Sequence, residues 1–596
     1  METREKLDAL RAQMKKHSMA AYMIPTNDFH GSEYVGSYFK CREFMSGFTG
    51  SAGTLVVRQD GAELWTDGRY FLQAAAQLEG STITLMKDRE PGVPTIEDFL
   101  AKELPKGSTI GFDGRTVSPA FVKSLLEKGG DKKFSVDGSC DLVGVIWKDR
   151  PEMSMEPVWE LDTCYTGLSR AQKLEQVREK MKEQKADALV LTSLEEIAWL
   201  LNLRGNDVLC TPVFLAYMVL TRDKATLCVH KKILSRDLTK KLKADGVKLA
   251  DYDQIGKLLK KLPSHCTVWA DSSHVNYQLM NSLPRKASKV DSVSPIELMK
   301  AIKTPEEIAN MKEAHIKDGV AVTRFIHWLQ ENVGKEKITE LTASAKIEEF
   351  RAKQEGFIEP SFDSIISFAA HGAIVHYAPT PETDVEMEPR SFCLADTGGH
   401  YKEGTTDITR TIPLGTLTEE EKRMYTLVLR GHLNLGNAAF IHGCCGQNLD
   451  YLAREPLWEN GLDYNHGTGH GVGYILSVHE GPQRIHWRIT ANAAPVVLEE
   501  GMVISNEPGI YLEDKFGIRH ENLVLCCKGE KNSYGQFMHF ENLTMVPFDR
   551  NAIDRSLLSE KDIARLNAYH KQVYETLAPR MTEEEQKWLA EMTREL

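Results

Sequence analysis

Two aspartates close a glycine-broken segment in Leu-Ala-Asp396-Thr-Gly-Gly-His-Tyr-Lys-Glu-Gly-Thr-Thr-Asp407. An apolar run precedes it (Ser391-Phe-Cys-Leu-Ala) and an alternating run follows (Asp407-Ile-Thr-Arg-Thr-Ile), the pattern of a β-hairpin. Pairing of the two strands brings both carboxylates onto one face. Carboxylates held that close repel unless a proton or a metal ion stands between them, so the hairpin predicts a cation.

A second pair lies downstream, Glu507 in Gly501-Met-Val-Ile-Ser-Asn-Glu507 and Glu521 in Gly517-Ile-Arg-His-Glu521. The elements around the two pairs recur in the same order. Capping boxes at Thr304-Pro-Glu-Glu307 and Thr418-Glu-Glu-Glu421 each open a long helix, a shorter helix follows from Thr339 or from about Asn448, and strands come after. Thr304 and Thr418 are 114 residues apart, Asp396 and Glu507 are 111 apart, and Asp407 and Glu521 are 114 apart. This spacing predicts a duplicated helix-helix-hairpin unit whose halves present two carboxylates each to a shared centre.

Fourteen of the 19 histidines follow Lys300, the densest run being Asn465-His466-Gly-Thr-Gly-His470-Gly-Val-Gly-Tyr-Ile-Leu-Ser-Val-His479-Glu-Gly-Pro482. Its glycines fit no G-x-G-x-x-G register, which argues against a dinucleotide loop. They suit backbone passing close to a packed centre, with His470 turned inward. A single histidine is more often a hydrogen-bonded core or surface residue than a ligand, but four carboxylates paired by duplication reverse that balance for one of them. Asp396, Asp407, His470, Glu507 and Glu521 then make a hard, oxygen-rich shell that suits Mn²⁺ or another divalent first-row ion better than a thiolate-type zinc. Two ions roughly 3.5–4 Å apart, sharing carboxylates and a bridging water of lowered pKa, provide hydroxide for hydrolysis. Arg519, two residues before Glu521 on the same strand face, is placed to offset the excess negative charge from behind the ligands.

The N-terminal half supplies scaffold. Leu7, Leu10 and Met14 followed by Ala20-Ala-Tyr-Met-Ile are matched 167 residues later by Leu174, Val177 and Met181 followed by Ala188-Leu-Val-Leu. The constant offset predicts two related α/β domains, 1–158 and 159–298, ahead of a third, 299–596, that carries the chemistry. Neither leading domain shows a cluster of titratable groups in the sequence. Arg69, in Trp65-Thr-Asp-Gly-Arg69-Tyr-Phe, is either an exposed turn residue or a bidentate donor to a substrate's carboxylate or carbonyl. The C-terminal tail, with Ser559-Glu-Lys-Asp562 capping a helix that aligns Ile563, Leu566, Val573 and Leu577, reads as a packing appendage or a dimer contact.

The 596 residues exceed what one core accommodates. A net charge of −12 argues against a nucleic-acid partner. No apolar run is long enough for a membrane span and Met-Glu-Thr-Arg-Glu-Lys opens no signal peptide, so a soluble cytoplasmic protein is expected. Eleven cysteines without a Cys-x-x-Cys pair suggest reduced, buried or inert thiols.

The ordered set Asp396, Asp407, His470, Glu507, Glu521, with His-Gly-Thr-Gly-His-Gly-Val-Gly, Val-His-Glu-Gly-Pro, Ser-Asn-Glu-Pro-Gly-Ile-Tyr and Ile-Arg-His-Glu-Asn, resembles the dinuclear-metal peptidases of the pita-bread (creatinase/aminopeptidase-like) fold. Within them the chain is most similar to the three-domain aminopeptidase P, or X-prolyl aminopeptidase, family, and Ser46-Gly-Phe-Thr-Gly-Ser-Ala-Gly extends the likeness into the first domain. The resemblance implies an α/β architecture of two related N-terminal domains and a pita-bread catalytic domain. It also implies Asp396 on one metal, Asp407 and Glu521 bridging both, and His470 and Glu507 completing the shell, with Glu507 and His470 at the reacting centre. His376 and His479 match histidines that donate to the scissile carbonyl and the tetrahedral intermediate. His466 matches a further pocket histidine and Arg69 a peptide-contacting position. The implied activity is removal of the N-terminal residue ahead of proline, with two divalent ions, manganese by preference, in a cytoplasmic homodimer. A prolidase restricted to Xaa-Pro dipeptides, or a silent pita-bread module that binds peptides or histones, would share much of the pattern. All five ligand positions are intact, whereas a silent module would be expected to have lost some. Methionine aminopeptidase would need no leading domains.

Overall fold

The offset of 167 residues holds in the computed structural model, which describes residues 1–488 and 495–596. Helices Thr3–Lys16 and Arg170–Glu183 are displaced by that amount at both ends, and strands Ala21–Pro25 and Ala188–Leu191 at their starts. Leu7, Leu10 and Met14 are buried with residues of the sheet that follows, and Leu174, Val177 and Met181 are likewise buried. Each sheet has six strands. In the first the order is Thr84–Lys87, Ala62–Thr66, Thr54–Arg58, Ala21–Pro25, Thr109–Phe112 and Ser135–Asp137. In the second it is Val247–Ala250, Ala225–Val229, Ala216–Thr221, Ala188–Leu191, Thr267–Trp269 and Ser288–Val290. The parallel and antiparallel pairings fall at the same places in both, so one topology is used twice. Both sheets belong to one unit, Met1–Asp162 with Leu168–Glu297.

That unit is not free of titratable clusters. Asp113, just past strand Thr109–Phe112, accepts from Arg115 at 2.9 and 2.7 Å, and Asp141, just past the adjacent strand Ser135–Asp137, accepts from Arg150 at 2.6 Å. Arg115 also approaches Asp141 at 3.4 Å. Adjacent parallel strands bring together residues that are remote in the chain, which the linear sequence conceals.

The other unit, Thr163–Gly167 with Leu298–Leu596, contains the second repeat. Thr304 and Thr418 cap helices Pro305–Asn332 and Glu419–Gly436 through reciprocal bonds with Glu307 and Glu421, and helices Glu340–Ala352 and Gly446–Trp458 follow. Strand Phe392–Thr397 then pairs antiparallel with Ile408–Pro413, and Val503–Asn506 with Asn522–Asn532. These are not simple hairpins. In each half the chain leaves the strand pair for a short ribbon, Gly399–Tyr401 with Gly404–Thr405 and Gly509–Leu512 with Phe516–Arg519. Gly398 marks the first exit: a Cβ there would sit 2.1 Å from Ser361 Oγ and 2.2 Å from Thr406 O, so only glycine fits.

The halves are joined where they carry their carboxylates. Glu521 N–H donates to Thr409 O at 3.1 Å. Thr411 Oγ1 donates to Arg519 O at 2.9 Å, and Arg410 donates to Glu521 O at 2.6 Å. Arg410 also reaches Tyr569 Oη at 3.0 Å, on helix Glu560–Leu577. Leu566, Val573 and Leu577 of this helix are buried in a cluster with Val428, Leu433 and Phe548. The tail is therefore part of this unit's own core rather than an appendage, and its capping box and apolar face serve to seat it there.

Candidate active site

Strand register puts the first two carboxylates on one face. Asp396 stands opposite Thr409 and Thr397 opposite Ile408, so Asp407, one step beyond the last pair, shares the face of Thr409 and Asp396. In the other half Asn506 pairs with Asn522, and Glu507 and Glu521 lie just past that pair. His470 reaches the same centre from strand Gly469–Gly471, which is crowded by its neighbours. A Cβ on Gly469 would lie 1.9 Å from Ser505 O, and one on Gly471 would lie 2.4 Å from Glu480 O. Such approach needs glycine on both sides of His470.

The bonds made by His470 define its state. Its Nδ1–H donates to Gly471 O at 2.9 Å, because a carbonyl can only accept, and this turns Nε2 toward Asp407 Oδ2 and Glu507 Oε1, both at 3.4 Å. A bare lone pair facing two carboxylates is repulsive, so Nε2 requires a proton or a cation. Burial alone would lower the pKa of His470, but the Asp407 hydrogen bond and the Glu507 and Asp407 charges outweigh it and push the value up to about 9. Asp407, His470 and Glu521 each have a ligand atom within 4.8 Å of the others. Glu507 Oε1 accepts from Ser505 Oγ at 3.0 Å.

Two carboxylates are held from behind and left open in front. Asp396 Oδ2 accepts from Arg519 at 2.6 Å and Glu521 Oε2 from Thr409 Oγ1 at 2.7 Å. Their other oxygens, Asp396 Oδ1 and Glu521 Oε1, are buried without a hydrogen-bond donor among the described residues. Burial raises both carboxyls, Arg519 opposing the rise at Asp396 while Asp407 adds to it, and Asp407 and Glu507 adding to it at Glu521. Buried anionic oxygens without donors are costly, and a divalent cation is what this donor set lacks. The residues present therefore fit metal ions.

The remaining expected residues surround this centre or lie elsewhere. The His479 ring stands 4.4 Å from that of His470 at 84°. His466 Nδ1–H donates to Gly467 O at 2.7 Å, leaving Nε2 to accept from Tyr511 Oη at 2.8 Å, while Arg519 donates to the same Oη at 2.6 Å. A continuous chain, His466–Tyr511–Arg519–Asp396, thus runs behind the carboxylates. Arg519 also donates to Val375 O at 3.3 Å, next to His376. Arg69 belongs to the N-terminal unit, where Asp67 holds it at 2.9 and 2.8 Å and Glu33 approaches at 3.5 Å, so the bare exposed-turn reading does not describe it.

Supporting residues escape a reading by motif. Tyr511 sits within a recognised segment but acts through Arg519, eight positions on. Glu340, fully buried, accepts from Phe368 N at 2.7 Å, His371 Nδ1 at 2.9 Å and Tyr377 Oη at 2.8 Å, and so pins the segment bearing His376. Glu480, next to His479, is clamped by Lys300 and Lys303 at 2.8 Å each. Only the long sequence separation hides these partners.

Comparison with known proteins accounts for the chain from end to end. Residues 309–528 match the model described as metallopeptidase family M24 and 536–596 its C-terminal region, while 6–141 and 149–307 each match the creatinase/prolidase N-terminal domain. Among curated relatives, Xaa-Pro aminopeptidase 1 of Dictyostelium discoideum is 41% identical over 96% of this chain and 93% of its own length. Aminopeptidase P1 of Arabidopsis thaliana is 38% identical over 99% of each. The crystal structure of X-prolyl aminopeptidase from Caenorhabditis elegans, described as a cytosolic enzyme with a di-nuclear active site, superposes with a TM-score of 0.96 at 33% identity, covering 100% of both chains. Two creatinase-type N-terminal domains, a pita-bread unit and full-length likeness at these identities place the chain in metallopeptidase family M24, among the Xaa-Pro aminopeptidases.

Proposed function

We propose that this protein is a metal-dependent aminopeptidase that removes the N-terminal residue from peptides with proline in the second position. The observation that carries the reading is the set Asp396, Asp407, His470, Glu507 and Glu521, with a histidine nitrogen facing two carboxylates and two buried carboxylate oxygens without a donor among the described residues. These five side chains would hold two divalent ions, and manganese is the choice that a shell of four carboxylates and one imidazole favours. When bound, such ions supply an activated water near neutral pH and polarise the scissile carbonyl.

The chain's own residues do the rest. Arg519 holds Asp396 and shares the charge of the cluster. His479 and His376 serve as donors toward the carbonyl oxygen, where negative charge develops. His466, oriented by Tyr511, lines the pocket, and Arg69 contacts the peptide. Proline in second position explains a dedicated enzyme, since its tertiary amide offers no N–H and its ring fixes the backbone. A cytosolic location and a homodimer belong to the same proposal. The free thiols of all eleven cysteines and the cytosolic description of the nematode relative support the location, and family likeness supports the dimer. No described helix is long and apolar enough to cross a membrane, and the net charge is −12.

The test is to strip the protein of metal, restore Mn²⁺, and compare Xaa-Pro-Xaa, Xaa-Ala-Xaa and Xaa-Pro substrates. Cleavage of the proline tripeptide well above the other two is expected. Preference for the dipeptide would instead make the enzyme a prolidase, and no cleavage of any would make it a binding module.

A further inference from the structure

A second group of side chains of metal-ligating type lies on the six-stranded sheet that also carries His470. On the interior strand pair Asn522–Asn532 and Gly535–Asn542, Cys527 stands directly opposite His539, and Glu541 lies two residues further along the second strand. Strand alternation sends all three to one face, while Cys526 points into the core on the other. The thiol, an imidazole nitrogen and a carboxylate oxygen all lie within 4.8 Å of one another. We propose that Cys527, His539 and Glu541 form a mononuclear site for zinc or a similarly thiophilic divalent cation, separate from the carboxylate cluster.

The donors differ in kind from those of the peptidase centre. A thiolate with an imidazole and one carboxylate suits a borderline-soft ion, whereas four carboxylates and one imidazole suit a hard one. Tetrahedral zinc, with bonds of about 2.0–2.3 Å, holds its ligands roughly 3.5 Å apart, so side-chain rotation on a fixed strand pair closes the cluster. Water takes the fourth position, and the exposed Glu541 leaves an entry path. Lys312 now pairs with Glu541 at 3.0 Å, both side chains being about half exposed (49% and 47%), and an ion pair so open to water yields readily to a divalent cation. Burial, with Glu541 beside it, pushes the Cys527 thiol up to about 11. Binding breaks the S–H bond and forms a sulfur–metal bond, and the proton goes to solvent, so affinity rises with pH.

Cobalt titration of the full-length protein after chelation tests this directly, because thiolate-to-cobalt charge transfer in the near ultraviolet reports a cysteine ligand and the carboxylate cluster contains none. With Co²⁺ added beyond what the carboxylate cluster takes up, a band equivalent to one cysteine-bound Co²⁺ per chain is expected in the wild type and equally in Asp407→Asn. Cys527→Ser should abolish it while retaining the wild-type circular dichroism, and His539→Ala should weaken cobalt binding at least 10-fold. Zinc should displace the cobalt and raise the Tm of Asp407→Asn but not of the Cys527→Ser, Asp407→Asn double variant. A band that survives Cys527→Ser, or no cysteine-dependent band at any cobalt concentration that leaves the protein folded, would overturn the assignment.

Discussion

Arg519 shows how one side chain sets the character of the site. It neutralises Asp396 at 2.6 Å, orients Tyr511 and through it His466, and is itself buried. Arg519→Met removes the partner of a buried carboxylate, and the metal-free protein is expected to lose about 3–5 kcal/mol of stability. The loss should fall substantially when Asp396→Asn is added, as read by denaturant unfolding. If the single variant is as stable as wild type, the pairing does not compensate the charge. Tyr511→Phe keeps the ring and breaks the chain to His466, so kcat/KM should fall about 10–100-fold with metal stoichiometry unchanged. The buried carboxyls also set a pH dependence. Burial raises Asp396 to about 6, against an unfolded value near 4, so the folded metal-free protein holds a proton there that the unfolded chain releases. That contribution to stability is complete below about pH 4 and is lost as pH rises through about 6. Glu521, raised further, extends the loss to higher pH. The stability of chelated wild type relative to chelated Asp396→Asn, which lacks the titrating group, should therefore decline from about pH 5 to pH 8, and restored Mn²⁺ should reduce the slope. A difference in Tm that instead grows in favour of the wild type over this range without metal would contradict the burial of this group.

At the scale of elements, close approach of strands governs the site. Gly469→Ala must force Ser505 O away from 1.9 Å and should cost at least about 1–3 kcal/mol with loss of activity, whereas Gly467→Ala meets nothing nearer than 3.6 Å and should be mild. Thermal melts of the two variants decide between crowding and general intolerance of the glycine run. The two repeats were legible in the sequence because offsets of 167 and of 111–114 residues survive in apolar spacing and capping boxes. The carboxylates were legible because pairing strands need only a period of two. The ribbons inserted at Gly398 and after Glu507 were not, since a short strand in a second sheet carries the same turn signals as a tight hairpin. Glu340 and the Lys300–Glu480–Lys303 clamp were hidden too, because their partners are 28 to 180 residues distant and no local pattern encodes burial of a charge. Asp113 with Arg115 and Asp141 with Arg150 are brought together by the parallel pairing of their strands, which the linear sequence does not encode.

At the scale of the molecule, a duplicated catalytic unit follows a duplicated sheet domain, and the carboxylates come from both halves of the former. Its C-terminal helix is part of that construction, since Tyr569 binds Arg410, and Arg410 binds the carbonyl of Glu521. Removal of residues 550–596 should leave an insoluble or protease-sensitive chain, not merely a monomer. A truncated protein that stays folded and active would show the helix to be dispensable. The central claim is that the five ligands hold two ions that make the chain a proline-directed aminopeptidase. It is tested most directly by titrating chelated protein with Mn²⁺ while following Xaa-Pro-Xaa cleavage, for wild type and Glu507→Gln. Activity should rise to a plateau at two ions per chain in the wild type and stay lower by about 10²–10⁴-fold in the variant. Full activity without metal, or in Glu507→Gln, would contradict the account.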